Sequence, residues 1–248
     1  MWQHRSEGRP RVLGHRGAMA YAPENTFASF ERAIELGVDV IELDVHLTAD
    51  GEVVVIHDAE LHRTTDGEGL VGQKSLAELK TLDAGVRFAP EFAGQRIPTL
   101  GEVLAWARGT CVIDVEIKGG PWPYDGIEAR VVELIRQHEM VDQTIVISFH
   151  HPVVARVKAQ APEIATGTLW SCQPIDPVAV ARAAGADAIM PQWTFCDAET
   201  VEKAHVAGLS VNPWETSDPR VVKHLIDLGV DSICANKPDV VAEALRTR

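Results

Sequence analysis

Strand-like and helix-like stretches alternate along this chain with a period of about 25 to 35 residues, and nothing else in it restricts the fold so sharply. Runs rich in β-branched and other apolar residues fall at Arg11–Leu13, Val40–Leu47, Val53–His57, Cys111–Lys118, Thr144–Phe149, Thr166–Trp170, Asp187–Pro191, Leu209–Pro213 and Ser232–Ala235. Helix-length segments lie between most of them. The first, TFASFERAIELG (26–37), puts Phe27, Phe30 and Ile34 on one face and stops at Gly37. GIEARVVELIRQHE, PVAVARAAG, DAETVEKAHVAG and DPRVVKHLIDLG follow the same plan. Repeated βα units predict a parallel sheet, and eight of them in 248 residues fit a TIM (β/α)8 barrel. A doubly wound open sheet is the competitor, but the chain has no glycine-rich dinucleotide turn.

Nine strand-like runs are one too many for a barrel. The linker TADGE (48–52) resolves the excess. It is too short for a parallel crossover and carries the Asp50-Gly51 turn signal, so Val53–His57 is expected to fold back antiparallel on Val40–Leu47. The segment from Asp58 to Pro98, with TTDGEG and the helical SLAELKTL, then reads as a small insertion after the second strand. It is expected on the rim of one domain spanning residues 1–248.

A buried parallel strand is normally apolar on both faces, and two of these strands are not. In VIELDVHL, Ile41, Leu43, Val45 and Leu47 share one face while Glu42, Asp44 and His46 share the other. In VIDVEIKG, Ile113, Val115 and Ile117 oppose Asp114, Glu116 and Lys118. In a barrel the apolar faces pack on the helices and the charged faces point into the mouth. Bare buried carboxylates cost several kcal/mol each unless paired or metal-bound. An ion-pair cluster is one solution. The other is an all-oxygen pocket of Glu42, Asp44 and Glu116, which suits one divalent cation, Mg2+ or Ca2+, rather than zinc.

The hairpin brings residue 57 back beside residue 43, so His57 lies next to the Glu42/Asp44 pair, where an imidazole serves as general acid or base. GHRG (14–17) ends the first strand at the same mouth, where glycines let the backbone approach a ligand and His15 and Arg16 face the site. Two proton-transfer groups, a hard cation and two anion-holding cations, Arg16 and Lys118, together read as phosphodiester cleavage.

The formal net charge of -13 argues against a nucleic-acid partner and leaves an anionic substrate to be captured by local positive charge. No apolar run approaches a membrane span and the N-terminus lacks a secretory h-region, so a cytoplasmic protein without stable membrane association is expected. Disorder is expected only in MWQHRSEGRP and the last few residues. Cys111, Cys172, Cys196 and Cys234 form no C-x-x-C pair and read as buried free thiols. Oligomeric state has no signal.

The stretch LGHRGAMAYAPENTFASFERAIELGVDVIELDVHLTADGEVVVIHD (13–58) resembles the signature of the glycerophosphodiester phosphodiesterases. DVEIKG (114–119), ISFHH (147–151), AHVAGLSVNPW (204–214) and GVDSICANKPD (229–239) fall in that family's order, so the resemblance spans nearly the whole chain. It implies a TIM barrel with an insertion after the second strand and a small-molecule glycerophosphodiester substrate, hydrolysed to glycerol 3-phosphate and an alcohol with a divalent cation. Carried onto this sequence, Glu42, Asp44 and Glu116 hold the metal, His15 and His57 are the acid–base pair, and Arg16 and Lys118 grip the phosphate; His15 is taken as base and His57 as acid, an order that the sequence itself leaves open. Trp214 either walls the glycerol site or is core packing.

For other residues the expected roles are structural. Phe149 and Trp170 are expected to pack at the rim, and His150 and His151 to be solvated loop residues. His205 is expected to be structural and His46 supporting. Asn25 or Thr26 caps the first helix, with Glu24 behind the site. Two positions depart from the family pattern. Trp214-Glu215-Thr216-Ser217 stands where Trp-Thr-Val-Asn is common, and Ala235-Asn236-Lys237-Pro238 where Thr-Asp-x-Pro is common. Both bear on substrate choice more than on chemistry. The nearest alternatives are a lysophospholipase D-type or phosphoinositide-type enzyme on the same scaffold, a binding protein that has lost activity, and a metal-bearing sugar isomerase.

Overall fold

The computed structural model describes residues 8–119 and 124–247. Its strands are β1 (Arg11–Gly14), β2 (Val40–Leu47), β3 (Val53–Val55), β4 (Val112–Ile117), β5 (Thr144–Ser148), β6 (Ala165–Trp170), β7 (Ala188–Pro191), β8 (Ser210–Val211) and β9 (Ser232–Ala235). Its helices are α1 (Phe27–Glu35), α2 (Leu76–Leu79), α3 (Leu100–Ala107), α4 (Ile127–Gln137), α5 (His151–Gln160), α6 (Pro177–Ala183), α7 (Ala198–Val206), α8 (Pro219–Leu228) and α9 (Pro238–Arg246).

Eight strands run parallel in the order β8-β7-β6-β5-β4-β2-β1-β9, and β3 pairs antiparallel with β2. Main-chain bonds across β8 and β9 bring the ends of the sheet together: Asp231 N to Val211 O at 2.8 Å, Cys234 N to Pro213 O at 3.2 Å, and Thr216 N to Cys234 O at 3.1 Å. The result is a nearly closed (β/α)8 barrel, the fold class the sequence rhythm predicts.

The alternation within each strand sorts side chains as expected. Ile41, Leu43, Val45, Ile113, Val115 and Ile117 are all fully buried outside the barrel wall, against Phe30 and Ala33 of α1 and Leu100 and Leu104 of α3. Each such aliphatic side chain contributes about 1.5–3 kcal/mol of burial. Inside the barrel, Leu13, Val40, Ile145, Ile147, Leu169 and Met190 form an apolar floor. The charged inward positions of β2 and β4 sit at the same level or above it.

The hairpin register pairs Val45 with Val55 and Leu47 with Val53, centred on residue 50 as the turn signal predicts. Beyond Val55 one bond remains, from Ile56 N to Asp44 O at 3.0 Å, and then the chain turns away. Residues 58–98 hold two short 3-10 turns and α2, and gather their own cluster around Val54, Ile56, Leu61, Val71, Leu79 and Ile97. Within SLAELKTL only Leu76–Leu79 is helical, closed by a Ser75/Glu78 capping box.

Two expectations need correction. Residues 8–10 are ordered into the fold, because Arg9 pairs with Asp39 at 2.8 Å and Pro10 is buried; residues 1–7 lie outside the described residues. Cys172 is exposed, whereas Cys111, Cys196 and Cys234 are buried free thiols. No helix among the described residues is long and apolar enough to cross a membrane.

Candidate active site

The second and fourth strands build the centre of the site. Their parallel register sets Glu42 beside Asp114 and Asp44 beside Glu116. All four carboxyls face inward and are buried. Asp44 accepts from Asn25 Nδ2 at 2.8 Å and has Arg16 Nε at 3.4 Å. Lys118 Nζ bridges Asp44 at 3.2 Å and Glu116 at 2.8 Å. Glu42 accepts the backbone N–H of Arg16 at 2.8 Å.

The electrostatics of this group are strained. Burial, with the charge of Asp44 added, pushes Glu42 well above the usual carboxylate range and Glu116 to about 7. Burial acts on Asp44 in the same direction, but Lys118 and Arg16 outweigh it and hold Asp44 low. Burial and the charges of Glu116 and Asp44 raise Asp114 well above its usual value. Oxygens of Glu42, Asp44 and Glu116 lie within 4.8 Å of one another, and Asp44 Oδ1 has only the Lys118 ammonium beside it, at 3.2 Å. Three hard oxygen donors at this spacing fit a divalent cation of the Mg2+ or Ca2+ type.

GHRG does its work through backbone geometry. Arg16 has φ +50 and Gly17 φ +85, a left-handed corner that turns the chain back over α1. A Cβ on Gly17 would meet Ser29 Oγ at 2.5 Å. Ser29 Oγ donates to the Arg16 carbonyl at 2.9 Å, which fixes the corner. His15 and Arg16 are thereby presented to the carboxylates from the end of β1.

The two histidines have different partners. His15 Nδ1 lies 2.6 Å from Asn236 Oδ1, and its Nε2 lies 4.0 Å from Glu42. Burial and the charge of Arg16 push its pKa down to about 4. His57 Nδ1 lies 2.6 Å from Asp58 Oδ1. Burial holds His57 below its ordinary value against the pull of Asp44 and Asp58. Arg63 bonds Asp58 and clamps both oxygens of Glu24 at 2.8 Å, and Glu24 accepts from Arg16 at 2.9 Å. An alternating chain of charges thus runs from His57 through the insertion back to Arg16. His46 supports His57 from behind, since its Nε2 donates to the His57 carbonyl at 2.9 Å.

One cavity, with about 170 Å3 of free volume, gathers His15, Arg16, Glu42, His57, Glu116 and Lys118, while Asp44 lies fully buried beneath its wall. Trp214 lines the same cavity, its indole N–H donating to Met190 O at 2.9 Å, and meets Phe149 edge-to-face at 5.2 Å. All eight residues expected at the site converge there.

Some neighbours differ from expectation. Trp170 is buried among the outer helices rather than packed at the rim. His151 opens α5 and its Nε2 donates to Leu169 O at 2.8 Å, so it is not a solvated loop residue, whereas His150 is exposed. Thr26 caps α1, and Asn25 serves Asp44 instead. His205 is structural, bonded to Asp231 at 2.8 Å.

Asp58, Arg63 and the contact of Asn236 with His15 belong to the site but not to the residues that the sequence marks for it. A signal for Asn236 existed. The β1–β9 register pairs Leu13 with Cys234, and two further steps set residue 15 beside residue 236. Arg63 sits in irregular chain, where no periodicity points it anywhere.

A parallel barrel whose mouth sets two differently partnered imidazoles beside oxygen donors and two fixed cations fits the chemistry of a phosphoric diester hydrolase. The family model for the glycerophosphoryl diester phosphodiesterase family matches residues 15–240. A glycerophosphodiester phosphodiesterase of Caldanaerobacter subterraneus subsp. tengcongensis is 39% identical over 236 residues, covering 95% of this chain and 97% of that one. The crystal structure of a glycerophosphodiester phosphodiesterase from Agrobacterium tumefaciens superposes with a TM-score of 0.85 at 33% identity, covering 94% and 99%. An Oleispira antarctica phosphodiesterase, solved in complex with the product sn-glycerol-3-phosphate, gives 0.88 at 31% identity, covering 97% and 98%. The chain belongs to the glycerophosphodiester phosphodiesterase family.

Proposed function

We propose that this enzyme hydrolyses small glycerophosphodiesters to glycerol 3-phosphate and an alcohol, with His15 as general base and His57 as general acid. The observation that carries the assignment is the contrast between their partners. His15 rests on a neutral carboxamide, which suits a ring that begins neutral and accepts a proton. His57 rests on a carboxylate that favours its protonated form, which suits a ring that gives a proton to the leaving alcohol.

Glu42, Asp44 and Glu116 would hold one divalent cation, Mg2+ or Ca2+; when bound, it offsets charge that builds on the phosphoryl oxygens. Arg16 and Lys118 hold the phosphate, and their positions are fixed by Glu24, Asp44 and Glu116. Trp214 walls the glycerol. The size of the cavity and the product seen in the Oleispira relative support a small soluble substrate.

The test is release of glycerol 3-phosphate from a panel of glycerophosphodiesters, with EDTA and then Mg2+ or Ca2+ added back. Metal-dependent release is expected. His15→Ala and His57→Ala should each lower kcat by about 10²-fold or more without unfolding the chain. Release from lysophospholipids alone would overturn the substrate assignment in favour of a lysophospholipase D-type reaction. A histidine variant keeping more than about a tenth of activity would remove that residue from the acid–base pair.

A further inference from the structure

Glu215 and Asn236, the two departures from the family pattern, touch each other. Asn236 Nδ2 donates to Glu215 Oε2 at 2.8 Å, and Asn236 Oδ1 accepts from His15 Nδ1 at 2.6 Å. A carboxylate accepts and does not donate, so Glu215 decides which end of the Asn236 amide faces it. The NH2 end is taken by Glu215, and the carbonyl end is left for His15. A carbonyl also only accepts, so His15 must carry its proton on Nδ1. In the neutral ring Nε2 then holds the lone pair, and Nε2 is the atom that looks toward Glu42 in the cavity, 4.0 Å away. With the amide reversed, its NH2 would meet Nδ1, the ring proton would move to Nε2, and no base would face the substrate.

We propose that Glu215 is a positioning residue for the reaction: it fixes the Asn236 amide and so sets the tautomer of His15, leaving Nε2 free to accept the proton of the attacking hydroxyl. The inference rests on the reading of His15 as the base. It gives a role to a carboxylate at a position where the family pattern commonly has threonine.

The experiment pairs kinetics with nitrogen-15 NMR of the imidazoles in the Mg2+-supplemented protein, the His15 signals being assigned with His15→Gln. Wild type is expected to show Nδ1 protonated and Nε2 bare. Glu215→Ala should show a substantial Nε2-protonated population and a kcat lowered about tenfold or more, the scale of one hydrogen bond to a charged group, with KM within about twofold. Glu215→Gln, whose side-chain oxygen still accepts from Asn236, should recover most of that loss. A wild-type ring protonated on Nε2 overturns the proposal. So does a Glu215→Ala protein with the wild-type tautomer and rate. A shifted tautomer with unchanged kcat counts instead against His15 as the base, the reading on which this inference depends.

Discussion

His57 and Asp58 are adjacent in sequence, yet their pairing depends on Arg63, which holds Asp58 from the far side of the turn. Burial would raise the Asp58 carboxyl, but the bonds from Arg63 and His57 outweigh it and keep it at about 2 against an ordinary 3.8. A carboxyl held low in the folded state stabilises the fold above its unfolded pKa, and that contribution is lost as pH falls through the folded one. Asp58→Asn should therefore be less stable than wild type at pH 7, and the gap should close between about pH 4 and pH 2, read from urea midpoints across that range. The same substitution should lower kcat about tenfold or more, since the amide no longer favours a protonated His57. Equal urea midpoints for wild type and Asp58→Asn at pH 7, as at pH 2.5, would show that the Asp58 charge contributes nothing to the fold.

At the scale of elements, the corner between β1 and α1 is the tightest joint near the site. Gly17 and Gly37 both have positive φ, but only Gly17 has a neighbour where a Cβ would stand. Gly37→Ala should cost about 1 kcal/mol for backbone strain alone. Gly17→Ala should cost about 2–4 kcal/mol, because strain and a clash with Ser29 add, and it should also depress activity by displacing Arg16. Thermal unfolding of the pair separates the two effects, and equal costs would refute the clash. The elements were largely legible in the sequence because their signals are local. The alternation of VIELDVHL and VIDVEIKG fixed both the strands and their inward carboxyls, and Asp50-Gly51 fixed the hairpin register. Helix α3 and α5 carried weaker signals: α3 follows the irregular insertion, and α5 opens on His151-Pro152, a pair that reads as loop. The orientation of His57 was not written in the hairpin at all. Continued alternation would place it on the face of Val55, toward the helices; it reaches the mouth only because the ladder ends at Ile56. Arg63 and Glu215 act through tertiary contacts that no spacing rule encodes.

For the whole molecule, the buried carboxylate group is a standing cost that a bound ion would relieve. Mg2+ or Ca2+ should raise the melting temperature, by about 2.7 kcal/mol of stabilisation at a hundredfold excess over Kd, or roughly 5–10 °C for a chain of this length. Glu116→Gln should blunt that response. The readout is a thermal melt with and without EDTA, and a melting temperature indifferent to both ions would sink the site as a cation site. The net acidic chain does not attract an anionic ester from afar, so under the proposed function capture would fall to Arg16 and Lys118, which lie inside the mouth and are already held by carboxylates.

The seam between β8 and β9 is sewn by main-chain bonds, from Val211, Pro213 and Thr216 on one side to Asp231 and Cys234 on the other, with the buried Asp231 carboxylate on Val211 N at 2.7 Å and Ser232 Oγ on Asn212 Oδ1 at 2.8 Å beside them. Of the side chains at the mouth end of that seam, Trp214 bonds Met190 instead, and Glu215 and Asn236 add a single bond to the main-chain closure. Closure and recognition are therefore separable there. Mutations can rewrite what the mouth sees while the barrel stays shut, which makes this joint a place where a lineage can drift to new esters without first losing its fold.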